Sequence, residues 1–286
     1  MRVATFASLD PASYREIVRR ALAEDVRWGD ITTEVVIPTG LQTAGALVLG
    51  TRCVLAGLDV VAECFRQVDP QVGVELVRRD GERCEAGTEV ARVSGSAAAV
   101  LTAERTAVNF LRRLTTLATL TRQLVDAGRG RVTVRDAGDT TPTLRAIEQY
   151  AVRVGGGVSH RVGLDDGVLI SQNHVRLAGS VRAAVERARR TNTEMPIEVV
   201  IGAVDEIDAA IAGGAVVLHV DGAAGDLVRE AVVRSRGRAK VALAGPVSVD
   251  RMAQAADVGA EYASLDVWMH DAPRVQVALE LTCARG

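Results

Sequence analysis

The sequence predicts an α/β protein: a parallel sheet with helical crossovers, closed into a barrel and preceded by a smaller mixed α/β region. Three observations predict it. From Ala103 onward, short apolar runs alternate with amphipathic stretches of helical period, as strands crossed over by helices do. About six such units occur, which favours a barrel over an open sheet. Before them, the apolar runs are short, alternate residue by residue and end in glycine turns, the mark of an antiparallel sheet.

The elements follow in order. Residues 10–25, DPASYREIVRRALAED, read as a helix with Asp10 as N-cap and Pro11 at the first helical position. Ile17, Val18, Ala21 and Leu22 form its apolar stripe. GDITTEVVIP then reads as a loop or extended segment. TAGALVLGTRCVLAG, VGVELVRRDGERCEAG and TEVARVSGSA read as strands, with an amphipathic helix, LDVVAECFRQV, between the first two. A helix over AERTAVNFLRRLTTLATLTRQLVDAGRG opens the second region. Its candidate strands are RVTVRDAG, GVLISQN, PIEVVIG, AVVLHVDG, KVALAG and EYASLDV. SVRAAVERARRT, VDEIDAAIAGG, AGDLVREAVVRSRG and SVDRMAQAADVG supply the intervening helices. Ligands of such barrels sit at the C-terminal strand ends, where Asp139, Ser171, Val200, Asp221, Gly245 and Asp266 fall.

Composition narrows the function. The 286 residues are 48% hydrophobic and 24% charged with a net charge of −2, ordinary for a soluble protein of one large or two modest domains. A charge near zero argues against a nucleic-acid or membrane surface, and 3% aromatics against base-stacking platforms. Cys53, Cys64, Cys84 and Cys283 have no metal-ligand spacing and fit scattered thiols in a reducing compartment. His174, His219 and His270 also lack metal spacing, so the sequence points to no metal site. Neither a signal peptide nor a membrane helix is evident, so a cytoplasmic protein is expected.

Four stretches carry a family likeness. ALAEDVRWGDITTEVV, AERTAVNFL, TTPTLRAIEQYAVRVGGGVSHRVGL and VLISQNH, with their order and spacing, resemble quinolinate phosphoribosyltransferase, and the likeness runs over nearly the whole chain. The resemblance implies an N-terminal α/β sandwich domain, a partly open parallel α/β barrel and a homodimer with shared active sites. It places the sandwich at 1–112, the barrel at 113–273 and a returning segment at 274–286. It also implies a reaction that joins quinolinate to phosphoribosyl pyrophosphate with Mg²⁺ and releases carbon dioxide and pyrophosphate. Arg105, beside Glu104, matches the arginine that reaches the neighbouring subunit's substrate. His160 and Arg161 match a carboxylate-binding pair, and Asp221 a carboxylate near ribose and metal. Thr140, Thr141, Pro142, Arg145, Asn173 and His174 also stand.

The departures cluster at strand ends. Where the family has Thr-Arg-Lys-Thr, this chain has Ala137, Gly138, Asp139 and Thr140. Where the family has a lysine and an aspartate before Asn-His, this chain has Ser171 and Gln172. One arginine and two lysines are gone and an acid is added. Losing one charged partner from a buried site costs several kcal/mol, so dianion binding should suffer. Val200 replaces a second acidic residue after Glu198, Ala244-Gly245-Pro246 replaces Ser-Gly-Gly, and Asp266-Val267 replaces Gly-Ala. Proline lacks the N–H that a phosphate would take, and Asp266 would repel one.

The candidate catalytic residues are therefore His160 and Asp221. The candidate binding residues are Arg105, Asp139, Thr140, Arg161, Ser171, Asn173, His219, Gly245 and Asp266. Arg105 and Arg161 clamp a carboxylate or merely pair with Glu104, Asp139 or Asp165. The triple glycine at 155–157 is a phosphate cradle or a turn that positions His160. Three functions stay open: a diverged phosphoribosyltransferase acting on another small carboxylate, a noncatalytic binding or regulatory homologue, and the ordinary quinolinate enzyme. The ligand is a small carboxylate or a nucleotide. The cofactor is open, with Mg²⁺ expected only if phosphoribosyl pyrophosphate is used.

Overall fold

The computed structural model describes residues 6–191, 194–221, 225–245, 247–265 and 274–283. Pro246, Asp266, Val267 and His270 lie outside the described residues. Two compact units divide the chain. The first takes residues 1–122, 141–156 and 271–286, and the second takes 123–140 and 157–270.

The first unit holds α1 (Arg15–Val26), α2 (Ile31–Val36), β1 (Gln42–Leu49), β2 (Cys53–Val54), α3 (Leu58–Val68), β3 (Gly73–Leu76), β4 (Arg83–Cys84) and β5 (Glu89–Ser96). It also holds most of α4 (Ala97–Ala127), α5 (Arg145–Val154) and the closing strand β12 (Val277–Cys283); the numbers between belong to the second unit. Strands β12, β1, β5 and β3 form an antiparallel sheet in that order, with Leu47 opposite Leu279 and Ala91. The segment Gly29–Pro38, expected as loop or extended chain, instead contains α2. Asp30 explains it: its carboxylate accepts from Thr33 N at 3.1 Å and Thr33 Oγ1 at 2.5 Å, satisfying orphan donors of the first turn.

The 31-residue α4 buries Val100, Ala103, Ala107, Leu111, Leu114 and Ala118, spaced by three or four residues. Each buried leucine contributes about 1.5–3 kcal/mol. Two buried threonines of the same helix, Thr115 and Thr119, accept from the backbone N–H groups of Ala56 and Val54. Asp80 takes the N–H groups of Gly57 and Leu58 and the Tyr150 hydroxyl, so it caps α3 from a distant turn. Burial raises the Asp80 carboxyl above the usual range, against those hydrogen bonds.

The second unit runs β6 (Thr133–Asp136), β7 (Val168–Ile170), α6 (Gln172–Ala178), α7 (Val181–Thr191), β8 (Ile197–Ile201), α8 (Val204–Gly213), β9 (Val217–Asp221), α9 (Gly225–Ser235), β10 (Lys240–Ala244), α10 (Val249–Val258) and β11 (Tyr262–Leu265). Its six strands are all parallel, in the order β6-β11-β10-β9-β8-β7. β6 and β7 do not pair, which leaves the barrel partly open; Val158 bridges to Arg135 on that side. One face carries Val199, Leu218, Val220, Val241, Leu243 and Val134, all buried. The alternate positions, which share the opposite face by register, include Arg135, Glu198, His219, Asp221 and Tyr262. That polar face carries the site.

Candidate active site

His160, Arg161, Glu198 and Arg135 meet around a cavity of about 230 Å³, whose other walls are Asp166–Val168, Met195 and Pro196. Gly167–Val168 and Met195–Pro196 lead into β7 and β8, so this cavity lies beside the entering ends of those strands, whereas the sequence placed the ligand at the leaving ends, where Ser171 and Asp221 stand. Glu198 is its centre. One oxygen, Oε2, lies 2.8 Å from His160 Nε2 and 2.5 Å from His219 Nε2. The other, Oε1, accepts from Arg135 Nη2 at 3.3 Å. Burial alone would raise this carboxyl. The hydrogen bonds and charges of the two histidines outweigh it and hold Glu198 well below the usual carboxylate range. The Arg135 guanidinium lies 4.2 Å from the Tyr262 ring centroid, and its buried Nη1 has no hydrogen-bond partner among the described residues. Arg161 Nη1 donates to the Gly167 carbonyl at 3.3 Å, across the turn that leads into β7.

The loop around His160 is set by Asp136 at the end of β6. Its buried carboxylate accepts from His160 N at 3.0 Å and from Gly138 N at 3.2 Å. Gly138 has φ +77°, a left-handed turn that suits glycine at the position where the resemblance expects arginine. In the triple glycine, Gly155 ends α5, and an added Cβ there would lie 2.5 Å from the Ala118 carbonyl and the Thr121 Cβ. Close approach of α5 to α4 therefore explains Gly155. Glu148, fully buried, holds the Thr-Thr-Pro turn by accepting from Thr141 N and Oγ1 and from Arg113.

The remaining candidates fall elsewhere. Ser171 is the N-cap of α6 and forms a capping box with His174: Ser171 accepts from His174 N, and His174 Nδ1 from Ser171 N. Asn173 accepts from Arg176 on the exposed face of that helix. Gln172 instead reaches the strand end, donating to Val200 O at 2.7 Å and Glu206 at 3.2 Å. Asp221 closes β9 and is exposed; a Cβ on Gly245, φ +81°, would come within 3.6 Å of its Oδ1. Asp139 is exposed, Thr140 half-buried, and Asp266 is outside the described residues. Arg105 lies in the first unit and pairs with Asp25 at 2.6 Å, a partner the sequence reading did not name. The structure thus joins His160, Arg161 and His219 and places Asp221 two residues beyond His219 on the same face of β9, roughly 6–7 Å along it. Three residues of the cluster, Arg135, Glu198 and Tyr262, were missed as site residues. Arg135 reads as an interior strand residue, and its partners stand 63 and 127 positions away. A charged residue in an otherwise apolar strand run was the available signal.

A parallel barrel with ionisable side chains on its inner face, preceded by an antiparallel sheet unit, defines an α/β-barrel protein with a polar interior site. Comparison with known proteins gives the family. Residues 30–115 match the quinolinate phosphoribosyl transferase N-terminal domain and residues 117–280 its C-terminal domain. The nicotinate-nucleotide pyrophosphorylase [carboxylating] of Mycobacterium leprae is 36% identical over 274 residues, covering 93% of this chain and 96% of that one. A probable nicotinate-nucleotide pyrophosphorylase [carboxylating] of Bacillus subtilis is 32% identical, covering 94% and 93%. Among solved structures, NadC from Streptococcus pyogenes superposes with a TM-score of 0.89 at 30% identity, covering 98% of this chain and all of that one. The chain belongs to the quinolinate phosphoribosyltransferase family, and its fold is that family's.

Proposed function

We propose that the chain transfers phosphoribose to a small acid other than quinolinate, one carrying a single negative charge or a carboxylate with an amine. The charge balance of the cavity carries this reading. Arg135 and Arg161 face Asp166 and Glu198 there, so these four formal charges cancel. A dianion would be left under-compensated in such a site, whereas one carboxylate can take Arg161 and His160. Gly138, Asp139 and Ser171 supply no cation at the family's lysine and arginine positions. Asp221 remains as a carboxylate for a Mg²⁺-bound phosphoribosyl pyrophosphate. A homodimer accompanies this reading; the exposed Trp28, Ile31, Val35 and Val36 supply an apolar patch for a second copy. A cytoplasmic location fits the absence of any helix, among the described residues, long and apolar enough to cross a membrane.

The relatives favour a second reading, the ordinary reaction with quinolinate, because similarity to the pyrophosphorylases spans nearly the whole chain. Pyrophosphate release with phosphoribosyl pyrophosphate and Mg²⁺, measured against quinolinate, nicotinate and an amine-bearing monocarboxylate, separates the readings. A monocarboxylate should give the higher kcat/KM. Arg161→Ala should lower it by about 10- to 100-fold, the worth of one charge-assisted hydrogen bond. Preference for quinolinate would establish the second reading. Failure to bind phosphoribosyl pyrophosphate or any acid would mark a noncatalytic homologue.

A further inference from the structure

We propose that His160, Glu198 and His219 form a site for one divalent transition-metal ion. The three residues come from separate segments: the loop before β7, strand β8 and strand β9. No sequence spacing displays them, but the register does. Glu198 pairs with Val217, which sets His219 one step further along the same face of the neighbouring strand. His160 reaches the same point from the loop that Asp136 fixes. One donor atom from each of the three side chains lies within 4.8 Å of the other two. Both Nε2 atoms turn to a single carboxylate oxygen, and the rings sit 5.6 Å apart at 35°.

This is a donor set with a known preference. Two imidazoles and one carboxylate bind Zn²⁺ with bonds of about 2.0–2.2 Å and leave a fourth position open. The same set with more open positions suits iron. Around a tetrahedral ion, neighbouring ligand atoms stand about 3.4 Å apart, so the cluster needs to widen by less than about 1 Å at its 2.8 and 2.5 Å contacts. The surroundings divide the carboxylate suitably. Oε1 is occupied by Arg135, which Tyr262 stacks against, and Oε2 is left to the ion. A ligating carboxylate held in this way by an outer partner is a usual feature of metal sites. Two of the three ligands, His160 and Glu198, also line the cavity with Arg161, so a small ligand reaches the ion from there.

The ion has a role in the proposed reaction, and that role alone rests on the reading above. Arg135 and Arg161 already balance Glu198 and Asp166, so the ion's two positive charges are in excess and stand in for cations that Gly138, Asp139 and Ser171 do not provide; the charge argument against a dianion therefore belongs to the ion-free site. A substrate carboxylate then has a metal and an arginine to bind.

The test is calorimetric titration of the chelator-treated full-length protein with Zn²⁺, and absorption spectroscopy with Co²⁺ as a coloured substitute. One ion per chain is expected, with visible ligand-field bands from Co²⁺. His219→Ala and His160→Gln should abolish the bands and weaken Zn²⁺ by more than the 10- to 100-fold that loss of an outer partner costs. His174→Ala, in the capping box of α6, should leave both unchanged. Failure of the wild-type protein to take up one ion overturns the proposal, whatever the variants do. So does ion binding that survives both substitutions in folded protein. An ion that binds while no carboxylate does would sink the acceptor reading and leave the metal site standing. A carboxylate that binds equally with and without the ion would do the reverse for the ion's role.

Discussion

Glu198→Gln removes the charge at the centre of the cluster and keeps its shape. In the wild type the side chain is 7% exposed and takes three hydrogen bonds, from Arg135, His160 and His219. A hydrogen bond to a charged group is worth about 1.5–3 kcal/mol and a neutral one about 0.5–1.5, so three exchanges cost about 3–4 kcal/mol. A second route gives a similar figure. Arg135, 16% exposed, would keep its charge with no counter-charge, and breaking such a buried pair costs about 3–5 kcal/mol. With a urea slope of about 1–3 kcal/mol per molar, the unfolding midpoint of the barrel unit should fall by roughly 1–4 M. The pH dependence has a definite sign. The folded carboxyl is held below its unfolded value, so its contribution is complete above about pH 4.3 and is lost only as pH falls well beneath that. The carboxyl's own share of the difference should therefore be constant from pH 5 to 8 and vanish in strong acid. A difference under about 1 kcal/mol at pH 7 would refute the reasoning, because it would mean that water already screens the cluster.

Two further predictions concern the scaffold. Gly155→Ala should destabilise the first unit by about 1–3 kcal/mol, read as a lower Tm, since its Cβ would sit 2.5 Å from the Ala118 carbonyl and Thr121. Gly138→Arg combined with Ser171→Lys restores family cations but should cost about 1–2 kcal/mol at the φ +77° turn and about 1 kcal/mol at the α6 cap, measurable by chemical denaturation. A stable double variant would show that neither residue holds its local backbone.

The barrel strands and most helices were legible because their signal is repetitive: buried strands recur as apolar runs and crossover helices as 3.6-residue stripes. The α2 segment was not, for a physical reason. Ile31, Thr32, Thr33, Val35 and Val36 are β-branched and favour strands. One cap, Asp30, and six residues of context override that preference. The site was legible where it lies along the chain, as with His160-Arg161, and illegible where it lies across the sheet. Glu198 was noticed only as the survivor of an acidic pair, and His219 only for its nearness to Asp221. Their direct contact depends on the β8–β9 register, which a sequence does not display.

The same register explains how such a fold can change its ligand. In a barrel strand, alternate residues face inward, and one substitution changes the interior without touching the outer face that helices cover. Arg135 lies on β6, one residue before Asp136, which holds the His160 loop. A cation placed on that strand is rigid and deep, whereas one on the Gly138–Asp139 turn would be exposed and loosely held. The valines and leucines on the other face of the strands are buried in any case, whatever charge the inner face carries. In such a barrel the outward-facing residues carry the packing against helices, and the inward-facing ones are those a ligand can meet.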